Sequence, residues 1–506
     1  MAKSRFLMTF SHKIIANNHG SFYNQIMLDK IIGRNAECEK LQNCLEANTS
    51  QLVIVYGRRR VGKTFLINQF FNDDFAFKVT GIFNKPKEFQ LQVFCSAINQ
   101  YFNDNVETPK NWISAFDILR RKLSDYPKDK KMVVFFDEFP WFDTQKSDFL
   151  PAFEWFWNDW GCAKNNIVCI VCGSATSWMV EHIDHNKGGL FNRQNLRLYL
   201  EPFNLYETKE FLLKKNIEWS DYDIAECYMI MGGIPFYLSQ LSNQYTLNKN
   251  IDELFFKKHS ALWDEFDHLY NTLFSNSEQY IKIVEILSSK KIGLTRQEIS
   301  EKSGLLPNGN LSKILENLVN SGFVRSYLFY GNKKKQTVYQ LCDYYTLFYF
   351  KFLKDNYGKD ESFWSNSYEY PSRRVWAGFT FEQLCRDHVR QIKQRLSIAG
   401  ILSTESTWFV KGDEEHDGAQ IDMIIDRRDR GINVCEMKFA NDKFEIDKVY
   451  EANLRKKISR FIEVTGTKKT IQLTFVTTYG VKQNMYSSRI SNQVVLEDLF
   501  KKREEL

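Results

Sequence analysis

Residues 51–65 read QLVIVYGRRRVGKTF, and this stretch decides the fold of the segment around it. Its apolar run, residues 52–56, predicts a fully buried strand. The residues that follow fit the phosphate-loop pattern G-x-x-x-x-G-K-[ST], and residues 65–71 continue with helical apolar spacing. Glycines let backbone N–H groups surround phosphate oxygens, and the start of a helix adds partial positive charge. The order strand, loop and helix therefore predicts a nucleotide-binding site.

The loop itself supplies the candidate ligands of the nucleotide. They are Gly57, Arg58, Arg59, Arg60, Val61, Gly62, Lys63 and Thr64. The Lys63 side chain can reach the β- and γ-phosphates, and the Thr64 hydroxyl can bind Mg²⁺. The expected cofactors are therefore ATP and Mg²⁺, and a basic turn that matches the pattern by chance is the alternative.

A second nucleotide motif is expected at residues 132–141, MVVFFDEFPW. Five apolar residues predict a buried strand that ends in Asp137 and Glu138. Asp137 is predicted to hold Mg²⁺ through water, and Glu138 to polarise the attacking water. A buried strand that ends in a solvated acidic turn has the same pattern, but the phosphate loop upstream favours the nucleotide interpretation.

Two further segments supply candidate groups for the γ-phosphate. Residues 165–177, NNIVCIVCGSATS, predict a buried strand, and Ser174 or Thr176 after it stands where a third motif senses that phosphate. Arg193 and Arg197 are candidates for an arginine that stabilises the transition state. Arg193 is favoured because it follows a glycine pair, and it is open whether it acts on its own site or on a neighbour's. Surface-loop residues are the alternative interpretation.

Composition limits the class of protein. A chain of 506 residues suggests about three domains, and 43% hydrophobic with 26% charged residues is ordinary for a soluble globular protein. The net charge of +6 is too small for this length to indicate nucleic-acid binding by itself. Cys169 and Cys172 have no second pair, which favours buried thiols over a zinc site and suits a reducing cytoplasm. We expect cytoplasmic localisation and no membrane association, because no run of 18 apolar residues occurs.

Residues 277–343 predict three helices and then a hairpin around the basic stretch GNKKK, residues 331–335. This order is typical of a winged helix-turn-helix, in which the third helix enters a groove and the wing contacts phosphates. The third helix offers Lys313 as its basic residue. DNA or RNA contact through this module is one interpretation, and a protein–protein or intramolecular contact, slightly favoured, is the other.

The last part of the chain contains a second set of candidate catalytic residues. Glu382 lies in a predicted helix, Asp422 at the start of a predicted strand, and Glu436 and Lys438 on the strand after it. Glu436 and Lys438 share one face because side chains alternate along a strand. Asp422 and Glu436 are predicted metal ligands, and Lys438 would stabilise charge on a phosphate. An exposed charge pattern without a ligand is the alternative.

These motifs occur in one order: GRRRVGKT, FFDEF, CGS, GGIP, the winged helix and the D…E-x-K set. Over about residues 29–506 the chain resembles the AAA-like ATPases of the STAND-related, archaeal-type branch that carry a nuclease-like C-terminal domain. Its last segment resembles the PD-(D/E)xK core, although residues 418–420, GAQ, stand in place of a Pro-Asp pair. The resemblance implies ATP binding and hydrolysis.

The expected fold class is α/β: a P-loop NTPase parallel sheet with a helical lid, then a winged helix-turn-helix, then an α/β restriction-endonuclease-like domain. The expected boundaries are 1–28 for an N-terminal extension, 29–200 for the ATPase core, 201–276 for the lid, 277–343 for the winged helix, 344–374 for a helix and linker, and 375–506 for the last domain.

Two functions fit these residues. In the first, an ATPase controls a C-terminal module that processes nucleic acid. In the second, ATP sets a signalling switch whose C-terminal domain binds a partner. Asp422, Glu436 and Lys438 separate the two, because a switch needs none of them. ATP is the expected ligand, and DNA or RNA, a protein partner and further copies of the chain are candidate partners.

Overall fold

The computed structural model of the chain describes residues 31–127, 129–184, 189–190, 193–274, 276–331, 336–356, 358–412, 414 and 417–502. The expected N-terminal extension, residues 1–28, and the lysines of the expected wing, residues 333–335, lie outside these ranges. Backbone contacts divide the chain between Glu201 and Pro202 into two compact units. Of the helices in the described ranges, none is both long and apolar enough to cross a lipid bilayer.

A parallel five-stranded sheet forms the centre of the first unit. Its strands are β1 (Gln51–Tyr56), β2 (Phe77–Thr80), β3 (Met132–Asp137), β4 (Ile167–Gly173) and β5 (Leu196–Tyr199). Their order is β2-β3-β4-β1-β5, so β4 lies between the strand that precedes the glycine-rich loop and the strand that ends in Asp137. The α/β class with a parallel sheet is thereby confirmed for this unit.

Helices connect these strands, because parallel neighbours need a crossover. The α-helices of the first unit are Asn35–Glu46, Lys63–Phe70, Lys87–Phe102, Trp112–Ser124, Phe149–Trp155 and Thr176–Met179. Shorter 3₁₀ segments span Phe139–Phe142 and Gly161–Ala163, and π-helical segments span Phe156–Trp160 and Val180–Asp184.

One face of this sheet packs on an aromatic core. Phe136 of β3 contacts Phe116 and Phe153 of two covering helices, with ring centroids 6.0 and 5.6 Å apart. Phe94 adds a further contact to Phe116 at 5.4 Å. All four rings are fully buried, and such pairs stabilise by about 0.5–1.5 kcal/mol beyond their buried area. This packing fixes β3 and the carboxylates at its end.

The second unit opens with helices around a glycine pair. The α-helices are Leu205–Lys214, Asp221–Met231, Pro235–Ser239, Leu247–Ile251 and Glu265–Leu273, with a π-helical segment at Asp252–Phe256. Gly232 and Gly233 have φ of 69° and 64°. A Cβ at Gly233 would lie 2.1 Å from the Phe203 carbonyl oxygen, so this turn requires glycine.

Residues 277–341 form a small helical bundle with an antiparallel sheet. The helices are Ser277–Ser288, Arg296–Ser303 and Gly309–Asn320, and the strands are β6 (Leu294–Thr295), β7 (Val324–Tyr327) and β8 (Val338–Leu341). The strand order is β6-β8-β7. Thr295 caps the second helix in a capping box with Glu298, as its sequence predicts.

The segment before residue 375, expected to be a helix and linker, contains short helices and a few buried side chains. Helices cover Tyr344–Phe348, Phe363–Asn366 and Pro371–Asp387, with a π-helical segment at Tyr349–Leu353. Arg373 is buried, pairs with the buried Glu226 at 2.8 Å and lies 3.8 Å over the Trp364 ring. Trp364 in turn meets Trp376 at 5.6 Å. These contacts make the segment part of the core of the second unit.

A mixed five-stranded sheet ends the chain. Its strands are β9 (Ser403–Val410), β10 (Ala419–Arg427), β11 (Gly431–Lys438), β12 (Thr470–Thr477) and β13 (Asn492–Val495), and the order is β13-β12-β11-β10-β9. β9, β10 and β11 pair antiparallel, whereas β11, β12 and β13 pair parallel. The accompanying helices are Val389–Arg395, Lys448–Thr465 and Leu496–Leu499, and a 3₁₀ segment spans Ser487–Arg489.

Two local features of this sheet bear on the site. The pairing of β9 with β10 shifts register between Ile421 and Ile424. Asp422 therefore lies at an irregularity inside β10, whereas the sequence predicts it at the start of a strand. At the outer edge, Phe329 forms an isolated bridge with Thr407 of β9, and the Tyr330 N–H donates to the Thr407 carbonyl at 2.8 Å.

Candidate nucleotide site and C-terminal carboxylate cluster

Two glycines shape the loop between β1 and the helix Lys63–Phe70. Gly57 has φ of 140°, and a Cβ there would lie 2.5 Å from the Leu200 carbonyl oxygen. Gly62 has φ of 90°, which disfavours other residues, and the space beside it is open. Backbone N–H groups can therefore approach a ligand closely along this loop.

Lys63 lies inside the loop. Its side chain is buried, and the ammonium donates to the carbonyl oxygens of Gly57 and Arg58 at 3.0 and 2.9 Å. Burial lowers the pKa of Lys63, and the nearby carboxylates of Asp137 and Glu138 act in the opposite direction. Carbonyl groups do not neutralise a buried charge, so this ammonium fits an anionic ligand such as a phosphate.

Thr64 and Asp137 meet where the loop passes the end of β3. The Thr64 hydroxyl donates to the Asp137 carboxylate, with its two oxygens at 2.9 and 3.1 Å. Burial raises the pKa of Asp137, and the charge of Glu138 raises it further. A hydroxyl and a buried carboxylate are oxygen ligands of the type that Mg²⁺ takes, so this pair fits the ion.

Glu138 is held in an unusual conformation. Its φ and ψ are both 45°, in the left-handed region that few residues other than glycine adopt. The Ser174 hydroxyl lies 2.8 and 3.2 Å from its two carboxylate oxygens. Ser174 follows β4, the neighbour of β3, so the sheet brings the two residues together. The predicted contact of Ser174 with a γ-phosphate stays a prediction, and the contact seen is with Glu138.

The other residues of the loop lie beside Lys63 and Thr64. Arg58 and Val61 are buried, and Arg59 lies near enough to Lys63 to contribute to its lowered pKa. Arg60 has φ of 72°. These positions agree with a loop whose backbone, more than its side chains, faces the ligand.

Sequence reasoning missed Arg34 as a support of the loop. Its guanidinium is buried and donates to the carbonyl oxygens of Glu201 at 2.7 Å and Val61 at 3.4 Å. It also lies 3.7 Å from the Glu37 carboxylate. No local pattern indicates this role, because both carbonyl partners lie far along the chain.

The structure places Arg193 away from the phosphate loop of its own chain, and its predicted role stays a prediction. β5 runs parallel to β1, and the Asn195 N–H donates to the Leu52 carbonyl near the start of β1. Arg193 therefore lies beyond the amino ends of the strands, whereas the loop follows their carboxyl ends. At about 3.3 Å per residue the strand separates them by roughly 20 Å. The alternative, Arg197, is exposed and lies opposite Ile54.

Three carboxylates converge in the C-terminal sheet. Met423 pairs with Cys435, which brings Asp422 beside Glu436, and the Met437 N–H lies 3.4 Å from the Asp422 carboxylate. Asp422, Glu436 and Glu382 are all buried. Burial is the larger cause, and the charge of Asp422 the second, that raises the pKa of Glu382 to about 7. The predicted catalytic role of these residues stays a prediction.

Basic and aromatic side chains surround this carboxylate cluster, by which we mean Glu382, Asp422 and Glu436. Lys438 lies 3.7 Å from Glu436, as predicted from their shared face. Lys457 also pairs with Glu436, and the Tyr450 hydroxyl donates to it at 3.3 Å. Lys457 and Tyr450 both belong to the helix Lys448–Thr465, and sequence analysis assigned neither contact.

Within the described ranges, no three or more His, Cys, Asp or Glu side chains are arranged to hold a metal ion. At the phosphate loop this is expected, because two protein oxygens and phosphates suffice for Mg²⁺. At the carboxylate cluster, lysines neutralise Glu436. Metal binding through Asp422 and Glu436 stays a prediction.

A parallel sheet with a glycine-rich loop after its first strand and carboxylates after its third defines a P-loop nucleotide-binding domain. Residues 31–241 match the family described as "ATPase domain predominantly from Archaea". The chain therefore contains an ATPase domain of the archaeal type.

The similar proteins include three from archaea. An uncharacterized protein of Methanocaldococcus jannaschii is 24% identical over 439 residues, which cover 84% of this chain and 91% of that protein. The Walker-type ATPase of Pyrococcus abyssi is 18% identical and covers 64% of this chain and 96% of its own, with a TM-score of 0.46. The ORC2 protein of Aeropyrum pernix is 15% identical and covers 64% and 94%, with a TM-score of 0.40. Structural scores this low carry no functional information.

Proposed function

We propose that the archaeal-type ATPase domain binds ATP with Mg²⁺ and hydrolyses it. The observation that carries this proposal is the contact of the Thr64 hydroxyl with Asp137 at 2.9 Å, beside the buried ammonium of Lys63. The family match supports the same conclusion. One pocket thus offers oxygen ligands for a cation and a positive charge for phosphate.

Each residue has a separate task in this proposal. The backbone of residues 57–64 and the Lys63 ammonium bind and orient the phosphates. Thr64 and Asp137 would hold Mg²⁺, which when bound neutralises charge on the phosphate oxygens. Glu138 orients the attacking water and accepts its proton, and Ser174 keeps its carboxylate in place.

Lys63→Ala and Glu138→Gln test this proposal. We expect Lys63→Ala to lose ATP binding with its fold intact, because the lysine is a point charge matched to phosphate. Glu138→Gln should bind ATP and turn it over about 10²–10⁴-fold more slowly. ATP binding by calorimetry and phosphate release are the measurements, and the exposed Lys40→Ala is the control. Wild-type turnover in Glu138→Gln would contradict its role.

We further propose that copies of the chain assemble so that Arg193 of one copy reaches the nucleotide of another. The position of Arg193 beyond the amino ends of the strands supports a role in trans, since its own loop is out of reach. An arginine in this role contributes about 10³–10⁵ in rate.

A second candidate function concerns the C-terminal sheet: we propose a metal-dependent site that acts on nucleic acid under the control of ATP turnover. In chain order the segment has the helix Pro371–Asp387, the antiparallel β9, β10 and β11, the helix Lys448–Thr465 and the parallel β12. This order supports the expected restriction-endonuclease-like core. In the alternative, the segment binds a partner and the lysines pair with Glu436 permanently.

Metal binding separates these alternatives. We expect Mn²⁺ to raise the melting temperature of the full-length protein in the absence of nucleotide, and Asp422→Asn to remove most of that rise. A plasmid and RNA panel with Mg²⁺ or Mn²⁺ tests cleavage. A rise that persists in Asp422→Asn, or none in the wild type, would leave the segment as a partner-binding module.

For residues 277–341 we propose a winged helix that contacts protein in preference to nucleic-acid bases. Three helices with an antiparallel hairpin support the winged-helix interpretation. On the third helix, the Asn310 amide donates to Gln279 at 3.1 Å, and the Arg296 guanidinium donates to the Ser312 hydroxyl at 3.1 Å. These groups are thus engaged within the module, which leaves fewer of them for reading bases.

A further inference from the structure

A lysine from the proposed winged helix lies at the carboxylate cluster. Lys291 stands between the helix Ser277–Ser288 and β6, and its ammonium is 2.6 Å from a Glu382 carboxylate oxygen. The Lys291 side chain is 43% exposed and that of Glu382 10%, so the lysine approaches the buried carboxylate from the solvent side.

Hydrogen bonds hold the loop that carries Lys291, between the helix Ser277–Ser288 and β6, against the carboxylate cluster. We call this segment the lysine loop. The Gln340 side chain of β8 donates to the Lys291 carbonyl at 2.5 Å. Arg386, one helical turn after Glu382, donates both to the Gln340 side chain at 3.2 Å and to the Asp422 carbonyl at 2.8 Å. The lysine loop, the winged helix and the strand of Asp422 are therefore joined through consecutive polar contacts.

Two more contacts fasten the same surfaces. Asp387 accepts from Arg325 of β7 at 2.8 Å and from the Tyr344 hydroxyl at 2.6 Å. These contacts reach Glu382, Arg386 and Asp387, all within about two turns of the helix Pro371–Asp387. The placement of the proposed winged helix is specific, and Lys291 is not a freely moving surface side chain.

Charge explains why a cation is required at this point. Glu382 and Asp422 are buried near each other, and like charges in a buried site repel strongly. Lys438 and Lys457 pair with Glu436, so Lys291 is the ion-pair partner that the described residues give to Glu382.

We propose that Lys291 is a built-in counter-cation that closes the carboxylate cluster to divalent metal, and that displacement of the winged helix opens it. The ammonium is paired with Glu382, next to the proposed metal ligand Asp422, so its positive charge opposes a metal ion in the cluster. Binding of a metal and docking of the lysine loop therefore oppose each other. This inference rests on the metal site proposed above for Asp422 and Glu436.

Calorimetric titration of the full-length protein with Mn²⁺, without nucleotide, tests the inference. We expect Lys291→Met to bind Mn²⁺ at least about fivefold more tightly than the wild type, which is the lower end of measured coupling between sites. Lys291→Arg keeps the charge and should retain the wild-type affinity. The adjacent exposed lysine provides the matched control, Lys290→Met, which should change nothing.

The outcomes distinguish this inference from the proposal beneath it. If Mn²⁺ binding depends on Asp422 but is equal in the wild type and Lys291→Met, the counter-cation role is wrong and the metal site stands. If neither the wild type nor Lys291→Met binds Mn²⁺ in a way that Asp422→Asn removes, the metal site and the counter-cation role are both wrong.

Coupling between two sites is reciprocal, which gives a second readout. Mn²⁺ should speed amide hydrogen exchange in residues 289–295 of the wild type, because the loop leaves its docked position. The same exchange should not respond to Mn²⁺ in Asp422→Asn. Slower or unchanged exchange in the wild type with bound Mn²⁺ would overturn the inference.

Discussion

At the scale of single residues, the hydroxyl of Ser174 is the contact that ties the proposed catalytic carboxylate to the sheet. We expect Ser174→Ala to lower kcat about tenfold, since a hydrogen bond to a charged group contributes about 1.5–3 kcal/mol. KM for ATP should stay within about twofold, because the contact seen is with Glu138. Steady-state kinetics of Ser174→Ala beside the exposed Ser114→Ala provide the measurement.

The same experiment decides between two roles of Ser174. If it contacts the γ-phosphate, as sequence reasoning predicts, ATP affinity should fall together with kcat. An increase in KM that accompanies the loss of kcat would therefore contradict the positioning role proposed here.

Motif spacing indicates single candidate residues where one segment encodes the chemistry. The loop residues and the Asp137–Glu138 pair were predicted because their positions follow from local strand and turn patterns. Arg34, Lys291 and Tyr450 were missed because each acts on a partner brought close by folding alone. Their own surroundings in the sequence contain no corresponding signal.

At the scale of elements, the buried pair of Arg373 and Glu226 joins two helices of the second unit. We expect Arg373→Met to destabilise this unit by about 3–5 kcal/mol, because it leaves the Glu226 carboxylate buried without its partner. The double change Arg373→Met with Glu226→Gln should recover part of that loss. Urea unfolding measures both.

The adjacent arginine supplies the control for this prediction. Arg374 is exposed, and its guanidinium donates to the Glu369 carbonyl at 3.0 Å, so Arg374→Met should change the unfolding midpoint little. Equal effects of the two changes would show that the buried pair has no special contribution.

Elements with strong apolar periodicity were predicted correctly, and the buried side chains of the segment before residue 375 were not predicted. The apolar runs of β1, β3 and β4 allow few alternatives, because buried parallel strands need continuous apolar residues. Residues 360–374 contain many polar letters, which favoured a linker. Arg373 is buried against Glu226, which lies 147 positions away in the sequence, and sequence patterns do not reveal such pairs.

At the scale of the whole molecule, the position of Arg193 predicts that activity depends on assembly. Lys63→Ala and Arg193→Ala proteins should each be inactive alone and regain part of their ATPase activity when mixed. In the mixture, Arg193 of a Lys63→Ala copy can reach the intact phosphate loop of an Arg193→Ala copy. Turnover measured across protein concentrations gives the test, with Arg197→Ala as the comparison.

Two results would contradict this prediction. Inactive mixtures combined with normal assembly would remove Arg193 from the neighbour's site. Greater damage from Arg197→Ala than from Arg193→Ala would reverse the assignment between the two arginines.

The bridge from Phe329 to Thr407 has a consequence for solution behaviour. β9 is the last strand of its sheet, and an uncovered strand edge is a template for pairing with other chains. The segment that covers it belongs to the same proposed winged helix that carries Lys291. Any state in which this module is displaced exposes both the carboxylates and the unpaired edge of β9. A long-lived open form would therefore be prone to aggregate. The protein is therefore expected to open briefly, or with a partner that covers the strand.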